Sequence, residues 1–297
     1  MNHSISVPGK IILTGEYAVI FGYPGIAIPS PQRLEATFDS DEKLHGIMTD
    51  WEGNNDADSQ WNAYLQKIVE CCERKMEPHR GVLTIVSAIP LQRGMGSSTA
   101  LVIAVARCFL GPDCKDDALA IEDKVNPGNS GIDFAVIWQE RALLYQRDHT
   151  PQSIALPPDL LQNAILIDTG KPKETTNELV AWVRSRAEDP TAKHAFETIG
   201  NCTQRLQSVT GNGGLQLREI IADHHRAQVA LGVVPAHVRE LVADIENAGG
   251  AAKVIGAGGR SGGGGIVLAI GATEQSIRYI APRHDSAIIS VYPLSSS

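Results

Sequence analysis

The chain has 297 residues, 43% hydrophobic and 20% charged, the balance of a soluble globular protein long enough for a sizeable core and for two domains. Its formal net charge of -8 argues against non-specific binding to nucleic acid or to an anionic membrane surface. The opening residues lack a charged segment followed by an apolar one, and no apolar run is long enough to span a bilayer, so the chain reads as cytoplasmic.

Residues 3–7 read as a strand, Pro8-Gly9-Lys10 interrupts it, and Ile11-Ile12-Leu13 forms a second run. Glu16 to Phe21 leads to a turn at Gly22-Tyr-Pro-Gly25, Ile26 to Ile28 resumes an extended pattern, and residues 32–50 alternate as a strand does. Asn54 to Ser59 is a polar loop. Residues 60–75 carry helical spacing through Trp61, Tyr64, Leu65, Ile68, Val69 and Cys72. Residues 81–88 read as a strand that enters a loop and then a buried helix ending near Leu110. Helices follow at 115–124 and from about 133.

Residues 146–162 are rich in proline and polar side chains, which places a domain boundary near 155. An N-terminal domain over 1–155 and a C-terminal domain over 156–297 result. The second contains a strand at 164–169, a turn at Gly170-Lys-Pro-Lys173 and helices near 174–188, 192–209, 214–231 and 235–248. A short strand at Lys253-Val-Ile, a glycine run at 256–265, a strand at 266–270, a helix at 273–281 and a strand at 287–292 complete it. This irregular mixture favours an α+β fold over a doubly wound sheet.

Arg93-Gly-Met-Gly-Ser-Ser98 sits where a strand turns into a helix N-terminus. Unpaired backbone N–H groups and the positive end of the helix dipole converge there, which suits a phosphate. Gly94 and Gly96 let the backbone come close, while Ser97 and Ser98 add hydroxyls for phosphate oxygens or a magnesium ion. The plainer reading is a glycine turn with serine caps.

Lys10 alone would be a solvated charge. Asp133, after Ser130-Gly-Ile, is either a helix cap or a carboxylate that orients or deprotonates a substrate hydroxyl. Glu122 is either a surface helix residue or a magnesium ligand, since magnesium takes hard oxygen ligands beside phosphates. The run Gly256-Ala-Gly-Gly-Arg-Ser-Gly-Gly-Gly-Gly265 is bracketed by short strands, so it reads as a tight ligand-approaching loop more than a linker.

The sequence has no G-x-x-x-x-G-K-[ST] and no protein-kinase motif set. It half-matches G-x-G-x-x-G only, with Thr99 at the third glycine. The five cysteines, at 71, 72, 108, 114 and 202, lack metal-ligand spacing and read as reduced structural thiols. His224-His225 reads as a partly exposed helical pair.

Taken in order, Pro8-Gly9-Lys10, Pro90…Arg93-Gly-Met-Gly-Ser-Ser-Thr-Ala100 and Gly256-Ala-Gly-Gly259 resemble the three motifs of the GHMP kinase superfamily. Four further segments resemble the mevalonate kinase family within it. They are Gly9-Lys-Ile-Ile-Leu-Thr-Gly-Glu-Tyr-Ala-Val19, Ser130-Gly-Ile-Asp133, Asp168-Thr-Gly-Lys-Pro-Lys-Glu-Thr-Thr176 and Leu231-Gly-Val-Val-Pro235.

The resemblance implies a two-domain GHMP kinase fold: an N-terminal domain like ribosomal protein S5 domain 2 and a ferredoxin-like C-terminal domain. It implies Mg-ATP as phosphoryl donor, with Arg93, Gly94, Met95, Gly96, Ser97 and Ser98 at the nucleotide and Ser98 and Glu122 at Mg2+. Asp133 and Lys10 become the catalytic pair. Lys10, Glu16, Tyr17, Asp133, Gly256, Ala257 and Gly258 are implied at the substrate, mevalonate, in a possible homodimer.

Three departures keep alternatives open, one of them the extra residues around Arg260-Ser261 in the third motif. The family usually has His where Tyr17 stands, and Gly-Glu-Tyr-Ala-Val is similar to phosphomevalonate kinases. The family's His-Gly-x-Pro-Ser-Gly-x-Asp appears here as Asn126-Pro-Gly-Asn-Ser-Gly-Ile-Asp133. Phosphomevalonate kinase, another small-molecule kinase of the superfamily and a non-catalytic metabolite sensor therefore stand beside the leading reading.

Overall fold

The N-terminal apolar runs fuse into strands longer than their spacing predicts. In the computed structural model, which describes residues 3–53, 59–77, 79–157, 159–209 and 213–291, β1 runs unbroken over His3–Thr14. Pro8-Gly9-Lys10 does not interrupt it. A side chain at Gly9 would come within 2.8 Å of the Met95 carbonyl and the Ser30 hydroxyl, so the glycine lets neighbours close over an extended backbone. β2 spans Gly25–Ser40 and stops where the Asp41 carboxylate accepts from the Lys43 amide at 2.9 Å, an Asx turn. The alternation beyond it belongs to a separate strand, β3, Ile47–Glu52.

Two compact units emerge. The first comprises 1–10, 29–91 and 95–141, and the second 11–28, 92–94 and 142–297. β1 and β2 run through both. In the first unit α1 (Ser59–Glu73) links β3 to β4 (Gly81–Ser87). β3 and β4 are parallel, and α1 supplies the crossover a parallel pair needs. β4 pairs antiparallel with β2 from Leu34↔Ser87 to Ser40↔Gly81. Inward residues such as Leu34, Ala36, Leu83 and Ile85 are fully buried. α2 (Ser97–Leu110) is apolar around its circumference and buried from Thr99 to Ala106. α3 (Lys115–Val125) and α4 (Ile132–Gln139) complete the unit.

In the second unit short β5 (Leu143–Tyr145) pairs with Gly25–Ala27 of β2 and with β6 (Gln152–Ser153). β7 (Ile165–Asp168) follows. Four helices come next, α5 (Thr176–Ser185), α6 (Pro190–Gln207), α7 (Gly214–Leu231) and α8 (Ala236–Asn247). β8 (Ala251–Val254), β9 (Ile266–Ile270), α9 (Glu274–Ile280) and β10 (Ala287–Val291) end the described chain. The four strands form an antiparallel sheet in the order β10-β7-β9-β8. Ile165, Ile167, Val254 and Val267 of that sheet pack against Val238, Leu241 and Ile245 of α8 and Ile277 of α9. A second core gathers Leu179, Val183, Phe196, Ile199 and Leu231 around Tyr17 and Ala18, with Phe21 stacked on Phe196 at 4.2 Å.

Mixed helices and two sheets make the fold α+β. Among the described residues no helix is long and apolar enough to cross a membrane. The expected loop at 54–58 and the last residue of the expected final strand, Tyr292, lie outside the described residues. A further expectation is corrected: His224 and His225 are both buried, because α7 packs against α6 and β8.

Candidate active site

Gly96 is the hinge of the first unit's site. It is the N-cap of α2 at φ +75°, and its carbonyl accepts the Ala100 amide at 2.8 Å. A Cβ there would lie 3.0 Å from Lys10 Cγ and Ile137 Cδ1 and 3.5 Å from Asp133 Oδ2. Glycine thus supplies both the left-handed turn and the space that lets α2 begin against Lys10 and Asp133. It also leaves the helix without a side-chain cap, so the first-turn amides and the positive end of the dipole stay directed at an incoming anion.

Lys10 is held in place by its own amide, which donates to the Met95 carbonyl at 2.9 Å. Its side chain is 4% exposed, and its ammonium stands 3.3 Å from Asp133 Oδ1. The solvated-charge reading of Lys10 therefore fails. A buried ammonium requires a partner, and Asp133 is it. Asp133 is not a cap: Gly131, at φ +84°, is the N-cap of α4 and the aspartate sits in the first turn. Its carboxylate is favoured by the dipole there and remains 33% exposed, so one side faces Lys10 while solvent or a ligand can reach the other.

Glu122 is no surface residue; it is 2% exposed on α3. Its Oε1 accepts from Thr99 Oγ1 at 2.8 Å and its Oε2 from Asn126 Nδ2 at 2.9 Å. Burial drives its carboxyl up from 4.5 to about 7 against the pull of those two hydrogen bonds, and Asp133 adds to the rise. Asn126 Nδ2 also donates to Tyr64 Oη at 2.7 Å, and the Ser98 side chain hydrogen-bonds to the same phenol. Tyr64 and Thr99 escaped the sequence reading. The available signal was a hydroxyl on the otherwise apolar stripe of α1, at the spacing of Trp61, Leu65 and Ile68.

The remaining predicted residues belong to the second unit. Glu16 is buried between Lys253 and His224. Lys253 donates to Glu16 Oε1 and, at 3.1 Å, to the Ile12 carbonyl. His224 Nε2 lies 2.9 Å from Glu16 Oε2 and 3.2 Å from the Gly15 amide nitrogen. The Gly15 amide donates to that nitrogen, so the ring accepts there with the Glu16 carboxylate alongside. Burial alone would raise the Glu16 carboxyl, but Lys253 and His224 outweigh it and hold it at about 2. Burial lowers His224 and drives His225 down to about 4.

Tyr17 adopts φ +63°, uncommon for a bulky residue, and its phenol donates to the Ala257 carbonyl. Gly94 and Gly256 press backbone to backbone. A Cβ on Gly94 would meet the Ile255 carbonyl at 2.5 Å, and one on Gly256 would meet Gly94 Cα at 2.8 Å. Gly258 has no room either, with the Val233 carbonyl at 2.2 Å from its missing Cβ. The glycine run is therefore a packed loop. Arg93 is engaged with Asp168, its Nε 3.0 Å and 3.1 Å from the two carboxylate oxygens.

The first unit thus brings together Lys10, Met95, Gly96, Ser97, Ser98, Glu122 and Asp133. The second joins Arg93 and Gly94 to the 256–258 loop and, through Tyr17, to Glu16. A compensated carboxylate beside an uncapped helix N-terminus can hold a hydroxyl and a phosphate at once.

Residues 63–137 match the family described as GHMP kinases N terminal domain. A mevalonate kinase of Pyrococcus abyssi is 28% identical over 309 residues, covering 91% of this chain and 89% of that protein. The structure of L. major mevalonate kinase in complex with R-mevalonate is similar with a TM-score of 0.80 at 18% identity, over 99% of this chain and 97% of that one. Streptococcus pneumoniae phosphomevalonate kinase in complex with phosphomevalonate and AMPPNP gives 0.72 at 16% identity, over 97% and 99%. The fold is shared with these structures.

Proposed function

We propose that this chain, a member of the GHMP kinase superfamily, transfers the γ-phosphoryl group of ATP to the hydroxyl of mevalonate, giving phosphomevalonate and ADP for isoprenoid precursor synthesis. The observation that carries the reading is the Lys10–Asp133 pair at 3.3 Å beside the uncapped N-terminus of α2. The mevalonate kinase from Pyrococcus abyssi and the L. major mevalonate kinase fold support the choice of acceptor.

Phosphoryl transfer depends mainly on alignment and charge neutralisation. Asp133 accepts a hydrogen bond from the acceptor hydroxyl, aims its lone pair at phosphorus, and takes the proton as the new O–P bond forms. Lys10 offsets the charge on Asp133 and can hydrogen-bond to an oxygen of the transferring group. The first-turn amides and hydroxyls of Ser97 and Ser98, with the 93–96 loop, receive the phosphates.

Ser98 and Glu122 would hold Mg2+, and the donor set fits. Glu122 is a buried carboxylate whose hydrogen-bond donors among the described residues are neutral, and magnesium characteristically takes one carboxylate, a hydroxyl and phosphate oxygens. When bound, the ion neutralises charge building on the β- and γ-phosphates. Glu16 is buried between Lys253 and His224, so its part in substrate binding is to hold Tyr17 and, through it, the Gly256-Ala257-Gly258 loop. We read the enzyme as cytoplasmic and homodimeric; light scattering of the purified protein tests the second.

One observation favours phosphomevalonate as acceptor: Tyr17 stands where mevalonate kinases usually carry histidine. The test is ADP formation from Mg-ATP with mevalonate, phosphomevalonate, homoserine and galactose offered separately. Turnover with mevalonate alone is expected. Turnover with phosphomevalonate alone overturns the acceptor, and ligand binding without turnover supports a sensor instead.

A further inference from the structure

We propose that Tyr64 and Asn126 are positioning residues that set the oxygen atoms of Ser98 and Glu122 in the orientation that receives the divalent cation. The inference rests on the kinase reading above. It concerns two side chains that touch neither nucleotide nor acceptor in that reading.

Glu122 is buried, and among the described residues its hydrogen bonds come from a hydroxyl and an amide and from no cationic side chain. Each oxygen is fixed by one donor, Thr99 Oγ1 from α2 and Asn126 Nδ2 from the end of α3. A carboxylate fixed at both oxygens cannot rotate, so its remaining lone pairs point in set directions. Asn126 spends the same Nδ2 on Tyr64 Oη, at 2.7 Å, which ties the carboxylate to α1. The Ser98 side chain hydrogen-bonds to that phenol too. That contact sets the Ser98 hydroxyl, at the phosphate-receiving end of α2, against the same phenol that Asn126 holds.

One phenol therefore registers a hydroxyl on α2 against a carboxylate on α3, and the amide of Asn126 is the link. Partners behind a metal's ligands commonly alter affinity by about 10-fold to 100-fold when removed. Burial raises the Tyr64 phenol well above its ordinary value, so it stays a neutral hydrogen-bonding group throughout the working pH range.

The test uses Mn2+ as probe, followed by its electron paramagnetic resonance signal during titration of the full-length protein with AMPPNP present. Tyr64→Phe and Asn126→Leu should each weaken Mn2+ binding by about 10-fold. AMPPNP affinity without metal and KM for mevalonate should stay near wild type. Asn126→His, which restores an N–H donor toward Glu122, should recover most of the loss. Thermal melting of each variant identifies any that fail to fold, and Tyr64→Phe, which removes one atom, serves as the mild variant.

Wild-type Mn2+ affinity in both variants would overturn the proposal. So would a wild-type protein that binds no Mn2+ with AMPPNP, or a loss in metal binding matched by an equal loss in AMPPNP affinity. If Mn2+ binding behaves as expected but mevalonate is not phosphorylated, the acceptor reading fails and the positioning role stands.

Discussion

Replacing Glu122 with glutamine should make the free protein more stable and the enzyme inactive. The folded-state carboxyl sits at about 7, against 4.5 for the ordinary group. Between those values the folded protein keeps a proton that the unfolded chain has released, so stability falls as pH rises from 4.5 to 7 and then levels off. The full effect at pH 8 is about 3 kcal/mol. Glutamine carries no charge to bury. Its oxygen can accept from Asn126, and its amide can donate to Thr99 once that hydroxyl turns to accept.

Urea denaturation of wild type and Glu122→Gln without nucleotide or divalent cation, at pH 5 and pH 8, measures the difference. The two proteins should be close at pH 5, and the variant should unfold at higher urea at pH 8. Phosphoryl transfer by the variant should fall by at least about 100-fold, since a charged metal ligand is gone. A variant less stable than wild type at pH 8 would falsify the view that Glu122 is an uncompensated buried charge awaiting a cation.

Other substitutions probe the remaining parts. Gly96→Ala places a methyl 3.0 Å from Lys10 Cγ at a left-handed backbone position, which should cost about 1–3 kcal/mol and lower kcat by displacing Lys10; calorimetry and steady-state kinetics read both. Glu16→Gln leaves Lys253 buried and half-compensated, an expected loss of about 3–5 kcal/mol by chemical denaturation at pH 7. The Glu16 contribution has the opposite pH sign to Glu122. It is present above 4.5 and is lost as pH falls toward about 2, so the wild-type advantage over Glu16→Gln should shrink across that window. Tyr17→Phe removes the bond to the Ala257 carbonyl and should cost about 1 kcal/mol in thermal stability.

Most elements were legible because their periodicity was strong. The helical stripe of α1 and the uniformly apolar runs of α2 and β9 declared themselves. What escaped were effects that depend on partners distant in sequence. β5 and β6 are only three and two residues long, too short for any period to show. His224 and His225 read as partly exposed because a helix that is apolar on two sides has no clean polar face to betray burial.

At the site, the glycines were found for an incomplete reason. Gly94 and Gly256 were read as allowing close approach to a ligand, yet Gly94 is already required by the Ile255 carbonyl and Gly256 by the backbone of Gly94. Lys253 carried an overlooked signal. A lysine inside Ala251-Ala-Lys-Val-Ile255 has no exit to water from a fully buried strand, and so demands an internal carboxylate, which Glu16 supplies.

The most direct test of the central claim is ADP production from Mg-ATP and R-mevalonate by wild type and Asp133→Asn, measured side by side. The account predicts turnover by wild type and a fall of about 100-fold or more in kcat for the variant, because the hydroxyl loses both its orienting charge and its proton acceptor. A variant that keeps near-full turnover, or a wild type that phosphorylates no acceptor, contradicts it.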